Sequence, residues 1–210
     1  MSLLTRAYGL SNIDDTRTLY DEWAATFDVE MADKGQDYVA PTLAASYALK
    51  VLQPSGRKIE DVTILDAGCG TGLVGLHLAK VGAKRIDGVD LSTGMLEIAR
   101  TTGAYNKLEA ADLTQPLAYE NGAFGMVVCV GTFTQGHVGP ATFEEFVRVT
   151  ETGGYIIATV LSSIWESQGY KSKVEELAHN GMVQIVSTNL EDYRRGAGVQ
   201  ARMVVLRVLV

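Results

Sequence analysis

The chain has 210 residues, a formal net charge of −7 and 47% hydrophobic residues. That is enough apolar sequence for one domain with a full core, and the acidic balance argues against a large nucleic-acid surface, which needs Lys and Arg to neutralise phosphates. Two cysteines without a CxxC and three scattered histidines leave no zinc framework and no disulfide scaffold, so no metal is expected and both thiols are expected to be reduced.

The opening Met1-Ser-Leu-Leu-Thr-Arg lacks the apolar stretch of a signal peptide. No window reaches the roughly 18 apolar residues of a spanning helix. The expectation is a cytoplasmic protein with no membrane partner. Residues 11–28 read as one helix, with Leu19, Trp23 and Phe27 forming an apolar stripe at i, i+4, i+8 and Tyr20 sharing a face with Trp23. Residues 41–52 read as a second helix, with Pro41 well placed in its first turn. The loop Gln53-Pro-Ser-Gly ends it.

Val62 to Leu65 has strand composition. Asp66 follows, then Gly68, Cys69, Gly70 and Gly72, and an apolar helical pattern opens at Leu73. Strand, glycine loop and helix bring backbone N–H groups close to a ligand, because a Cβ would block the approach. Gly70-x-Gly72-x-x-Gly75 also satisfies the dinucleotide fingerprint, with Asp90 downstream for a ribose. Asp66 argues against it, since a carboxylate at the strand end would repel pyrophosphate, whereas a ligand with a cationic amino-acid end would accept it. Arg85 to Asp90 is the second strand, with Asp90 at the carboxyl end where ligands bind in such sheets. A carboxylate there can accept from the 2′- and 3′-hydroxyls of a ribose. Ser92 caps the next helix, to Arg100. Lys107 to Leu113 is a short third strand running into a loop. Phe124 to Val130 is almost continuously apolar, as in a strand buried on both faces. After a helix over 140–150 comes Tyr155 to Leu161, then a helix over 171–180 and strands over Met182–Thr188 and Arg202–Val210, with Arg194 to Gly198 as the loop between them. Two strands with no helix between them make an antiparallel pair. The architecture is therefore α/β: a Rossmann-like three-layer sandwich on a seven-stranded, mostly parallel sheet with one antiparallel edge strand. Residues 1–210 form one domain, with N-terminal lid helices over 1–52 and a cofactor-binding core over 60–210.

Asp66-Ala-Gly-Cys-Gly-Thr-Gly72 resembles the first motif of class I S-adenosylmethionine-dependent methyltransferases, and Asp90-Leu-Ser with Met95 resembles their second. Tyr20-Asp-Glu-Trp-Ala-Ala-Thr-Phe-Asp28, continued by Tyr38-Val-Ala-Pro41, is similar to the lid helix of the Williams–Beuren syndrome critical-region methyltransferase-like family. Phe27 stands where that pattern often carries Tyr. The resemblance spans residues 18–160. It implies S-adenosylmethionine as cofactor, with S-adenosylhomocysteine as product. It further implies that Asp66 and the Gly68–Gly72 backbone hold the methionine end, that Asp90, Leu91 and Met95 hold the ribose side, and that Asp112 and Leu113 read the adenine. Tyr20 and Trp23 would cover the cofactor, and Val130 and Thr132 would face the amino group and the methyl.

Methyl transfer requires alignment and exclusion of water more than a catalytic group. His137, in the loop after the fourth strand, is the best candidate base. Tyr20, Trp23, Phe133 and Trp165 are candidate walls, because aromatic faces suit a sulfonium. The leading expectation is transfer to a small-molecule acceptor by a monomer or homodimer. The alternatives are a catalytically inactive S-adenosylmethionine-binding protein of the same fold and an enzyme of this fold with other chemistry, such as a dehydrogenase or an aminopropyl transferase.

Overall fold

The structure, a computed structural model, describes residues 2–10, 12–135 and 138–210. The N-terminal region forms α1 (Leu3–Ala7), α2 (Ile13–Trp23), α3 (Phe27–Ala32) and α4 (Ala40–Leu52). The expected single helix over 11–28 is thus two. Asn12 caps α2 by accepting from the Asp15 N–H. The chain breaks after Trp23, and Thr26 bonds Glu30 as α3 begins. The apolar stripe of 19, 23 and 27 is continuous in sequence, so only the demands of the contacts described below reveal the break.

The sheet contains β1 (Thr63–Ala67), β2 (Arg85–Asp90), β3 (Lys107–Ala110), β4 (Phe124–Phe133), β5 (Thr150–Leu161), β6 (Val183–Arg194) and β7 (Val199–Val208), separated by α5 (Leu73–Lys80), α6 (Thr93–Thr101), α7 (Thr142–Val149) and α8 (Tyr170–His179). Its order is β3-β2-β1-β4-β5-β7-β6. β1 runs parallel to both β2 and β4, with Asp66 level with Gly88 on one side and Val128 on the other. The strand order therefore reverses at β1 and β4, which opens a crevice above their carboxyl ends. β7 is antiparallel to β5 and β6, so the final hairpin supplies the antiparallel edge pair, with β6 outermost. With helices packed against this sheet, the α/β Rossmann-like expectation holds.

β6 and β7 are longer than their apolar runs suggest. Gln184, Ser187, Thr188, Asn189, Glu191 and Asp192 hide the strand pattern of β6. An edge strand is held by pairing to its buried neighbour and carries polar residues outward.

Most strands and α4 share one core, in which Ile64, Leu65, Met126, Val127, Ile156 and Ala158 are fully buried. Ala44 and Ala48 are fully buried too. Their small side chains let α4 lie close to α5 and the sheet, so α4, expected in the lid, packs with the core instead. A second cluster joins Ala7, Leu19, Trp23, Ala24 and Met31 of the N-terminal segment to Met95 of α6. Residues 36–39 then pair with the end of β6, through Val39 N–H to Tyr193 O at 3.1 Å and Gly196 N–H to Gln36 O at 3.0 Å. The N-terminal cover is thereby fastened at both sides of the crevice. Among the described residues, no helix is long and apolar enough to cross a membrane.

Candidate functional site

The crevice holds a cavity of about 430 Å³, within the usual range for small-ligand sites. Its floor is the loop after β1. Gly68, Gly70 and Gly72 all have positive φ (76°, 53° and 93°), which glycine adopts at no steric cost. At Gly68 a Cβ would also collide with Thr132 Oγ1. Gly72 begins α5, so the helix N-terminus opens at the floor.

Asp90 stands beside this loop. Its Oδ2 accepts from Gly70 N–H at 2.8 Å and its Oδ1 from Ser92 N–H at 2.9 Å. Burial raises its pKa against the pull of those bonds. A carboxylate has about four lone-pair sites, so capacity for two further donors remains. Leu91, Met95, Asp112 and Leu113 continue the wall. Asp112 Oδ1 accepts from both the N–H and the hydroxyl of Thr114, at 2.8 and 2.7 Å. Tyr20 and Trp23 cover the cavity, stacked at 5.8 Å, with Phe27 edge-on to Trp23 at 4.9 Å. Cys69, Val130 and Thr132 also line it.

The cover is latched by two acids. Asp21 Oδ1 accepts from Ser92 Oγ–H at 2.5 Å and Gly94 N–H at 2.9 Å, at the start of α6. Asp28 Oδ1 accepts from Thr71 Oγ–H at 2.5 Å, on the glycine loop. Both acids lie inside the string Tyr20 to Asp28, where the sequence reading weighed only the aromatic rings.

Residues 64–154 match the methyltransferase domain family. Human methyltransferase-like protein 27 is 32% identical over 180 residues, covering 84% of this chain and 71% of that protein. The chain belongs to the class I S-adenosylmethionine-dependent methyltransferases. A malonyl-[acyl-carrier protein] O-methyltransferase of Serratia marcescens is 34% identical over 103 residues, 48% of this chain and 38% of that protein. Magnesium protoporphyrin IX methyltransferase from Synechocystis PCC 6803 with bound SAM shares the fold at a TM-score of 0.61 and 18% identity, over 80% of each chain. The cofactor of this methyltransferase is S-adenosylmethionine.

Two of the expected cofactor residues are not on the methyltransferase's cavity wall. Gly72 serves the turn into α5. Asp66 lies fully buried behind the loop. Its Oδ2 accepts from the Tyr105 hydroxyl at 2.7 Å, and its Oδ1 has no partner. Tyr105 also accepts from Gly75 N–H at 3.2 Å, and its ring fills the space that a Cβ at Gly75 or Gly88 would need. The third glycine of the apparent dinucleotide fingerprint thus makes room for this phenol. No sequence signal marked Tyr105, which lies in an unpatterned loop.

Phe133 and Trp165, expected as walls, are core residues. Phe133 sits in a ring cluster 4.9 Å from Phe143 and 5.3 Å from Tyr170, and Trp165 is buried in the same core. The aromatic wall is completed by Tyr8, Tyr38 and Tyr193, which sequence reasoning missed because tertiary contacts alone assemble them. Burial pushes the Tyr193 phenol up to about 12 and holds the Tyr38 phenol well above its ordinary value, so both present neutral hydroxyls. The candidate base His137 lies outside the described residues.

Burial also pushes the Asp66 carboxyl up to about 7, opposed by the Tyr105 hydrogen bond and reinforced by Asp90. A folded-state pKa raised from 3.8 to about 7 costs no stability below pH ~3, where both states hold the proton. The penalty grows as the unfolded chain ionises and is complete above pH ~7, at about 4 kcal/mol. Asp90 acts in the same direction. The ligand-free protein is therefore expected to lose stability from pH 5 to pH 8, with a shallower slope in Asp66→Asn. Denaturant midpoints at several pH values measure this, and an equal slope in both proteins would remove Asp66 as its source.

Asp28→Ala is expected to free α3 from the glycine loop and weaken S-adenosylhomocysteine binding by about tenfold, the worth of one charge-assisted hydrogen bond. Core stability should barely change, because α3 belongs to the smaller cluster. Calorimetric titration beside a melting curve separates the two effects.

Proposed function

We propose that this methyltransferase transfers the methyl group to a small-molecule acceptor inside the covered cavity. The observation that carries the reading is the cover itself. Rings of Tyr20, Trp23 and Phe27, latched by Asp21 and Asp28, close a largely apolar chamber above the strand ends. Such a chamber excludes water and admits a compact acceptor.

S-adenosylmethionine, when bound, supplies an electrophilic methyl on a sulfonium whose neutral thioether leaves readily. The chain's residues fit that group. The Gly68–Gly70 backbone offers a close approach that side chains would fill. Asp90 would accept from two ribose hydroxyls, and Asp112 with the Leu113 N–H would hold the adenine. Tyr20 and Trp23 would cover the cofactor, and Val130 and Thr132 would border the methyl. Asp66 would act from behind the loop, its unpartnered Oδ1 biasing the floor toward a cationic amino group. What these groups provide is alignment and dryness, the main requirements of an in-line displacement. His137 is kept as the candidate for removing a proton from a hydroxyl acceptor. Residues 1–210 would act as one unit in the cytoplasm, as monomer or homodimer, where the two unbridged, buried thiols suit a reducing compartment.

The test is an untargeted screen of a cell extract with isotopically labelled S-adenosylmethionine. Label appearing in a metabolite of low molecular mass is the expected result. Label confined to protein or nucleic acid would overturn the small-molecule assignment.

A further inference from the structure

Arg194 has no role in the reading above, yet it is a buried cation on the cavity wall, only 6% exposed. Its Nη1 donates to Gln36 Oε1 at 2.7 Å and its Nη2 to the Tyr8 hydroxyl at 2.7 Å. Nε is buried with no partner. These acceptors are neutral, and a guanidinium keeps its charge at any ordinary pH. Charge withdrawn from water is costly until an opposite charge meets it. The next residue shows the contrast: Arg195 is exposed and already paired, with Asp37 at 2.7 Å.

The backbone places Arg194 deliberately. Successive strand residues normally point to opposite faces. A register shift between Asp192 and Arg194 breaks that alternation, as bulges do, so Tyr193 and Arg194 both reach the cavity. Tyr193 packs edge-on to Tyr38 at 5.1 Å, and both hydroxyls approach Gly131 at the end of β4. The sheet order separates this group from the glycine loop, Asp90 and Asp112. Those follow β1, β2 and β3 on one side of β4, while Arg194 ends β6 on the other.

We propose that Arg194 is the anion receptor of the acceptor half of the cavity, and that the acceptor is an apolar molecule carrying a carboxylate. This rests on the methyl-transfer reading and names the substrate class. Tyr8 and Gln36 hold the guanidinium in place and take two of its five N–H donors, which leaves a second N–H on each Nη for a ligand. A carboxylate could also come from the methionine end of the cofactor, so the test separates the two sources.

The experiment is calorimetric titration of the intact chain saturated with S-adenosylhomocysteine. The probes are phenylacetate, 4-hydroxybenzoate and octanoate, each beside its amide. At least one carboxylate is expected to bind about tenfold or more tightly than its amide, the worth of a charge-assisted bond. Arg194→Gln should lose that preference while keeping its affinity for S-adenosylhomocysteine, and Arg194→Lys should keep part of it. Equal binding of every acid and its amide, or no binding of any, overturns the proposal, and this arm needs no variant. A second arm compares S-adenosylhomocysteine with its decarboxylated analogue. If Arg194→Gln weakens only the former, Arg194 grips the cofactor and the acceptor assignment falls. Failure of the wild-type chain to bind S-adenosylhomocysteine would instead sink the underlying methyl-transfer reading, a result distinct from the others.

Discussion

Asp90→Ala is expected to weaken S-adenosylhomocysteine binding by about two to four orders of magnitude. In the proposed complex it strands two ribose hydroxyls, each worth about 1.5–3 kcal/mol toward a charged acceptor. The same substitution removes the acceptor of Gly70 N–H and Ser92 N–H, so the loop that meets the methionine end loses its anchor too. The ligand-free protein should respond far less. Losing those two bonds destabilises it, but removing a carboxylate whose pKa burial has raised relieves a desolvation penalty of the opposite sign. Titration calorimetry and a ligand-free melting curve on one preparation test both halves. An unchanged affinity would mean that the ribose lies elsewhere.

Gly68→Ala should cost the fold itself about 2–5 kcal/mol. Part is the left-handed conformation at φ 76°, worth roughly 1–2 kcal/mol for a residue with a Cβ. The rest is collision with Thr132, whose Cβ would stand 3.3 Å from the new methyl, within the usual 1–3 kcal/mol of overpacking. At this chain length that lowers the melting temperature by about 10 °C. Adding Thr132→Ala should restore the collision share and leave the backbone share. A double variant no more stable than Gly68→Ala would show that the strain is all backbone. S-adenosylhomocysteine binding should stay impaired in both, because a relaxed loop no longer presents its N–H groups at the same place.

Local chemistry explains which features were readable in advance. The three glycines after Leu65 need no distant partner to be understood, since positive φ and a missing Cβ are properties of the residue. The continuous apolar run at Phe124 identifies a strand buried on both faces. Ser92 is readable as a cap because its partner, the Met95 N–H, is three residues away. Asp90 and Asp112 were placed at cavity walls because strand ends are countable along the chain. Asp66 was readable as the acid after β1, but its burial behind Tyr105 was not, since the phenol arrives from 39 residues away.

By itself, then, the sequence determined the sheet's composition and the glycine floor, each of which depends on spacing within a few residues or on repeated strand-to-helix units, and the resemblance of its motifs implied the cofactor class. Only the tertiary structure decided what covers the floor. After the break at Trp23 Asp28 reaches Thr71, and the pairing of residues 36–39 with the end of β6 joins segments some 155 positions apart. That pairing brings Tyr8, Tyr38, Tyr193 and Arg194 together. A buried guanidinium without a carboxylate has no signature in the order of residues, because its environment is supplied by both ends of the chain at once.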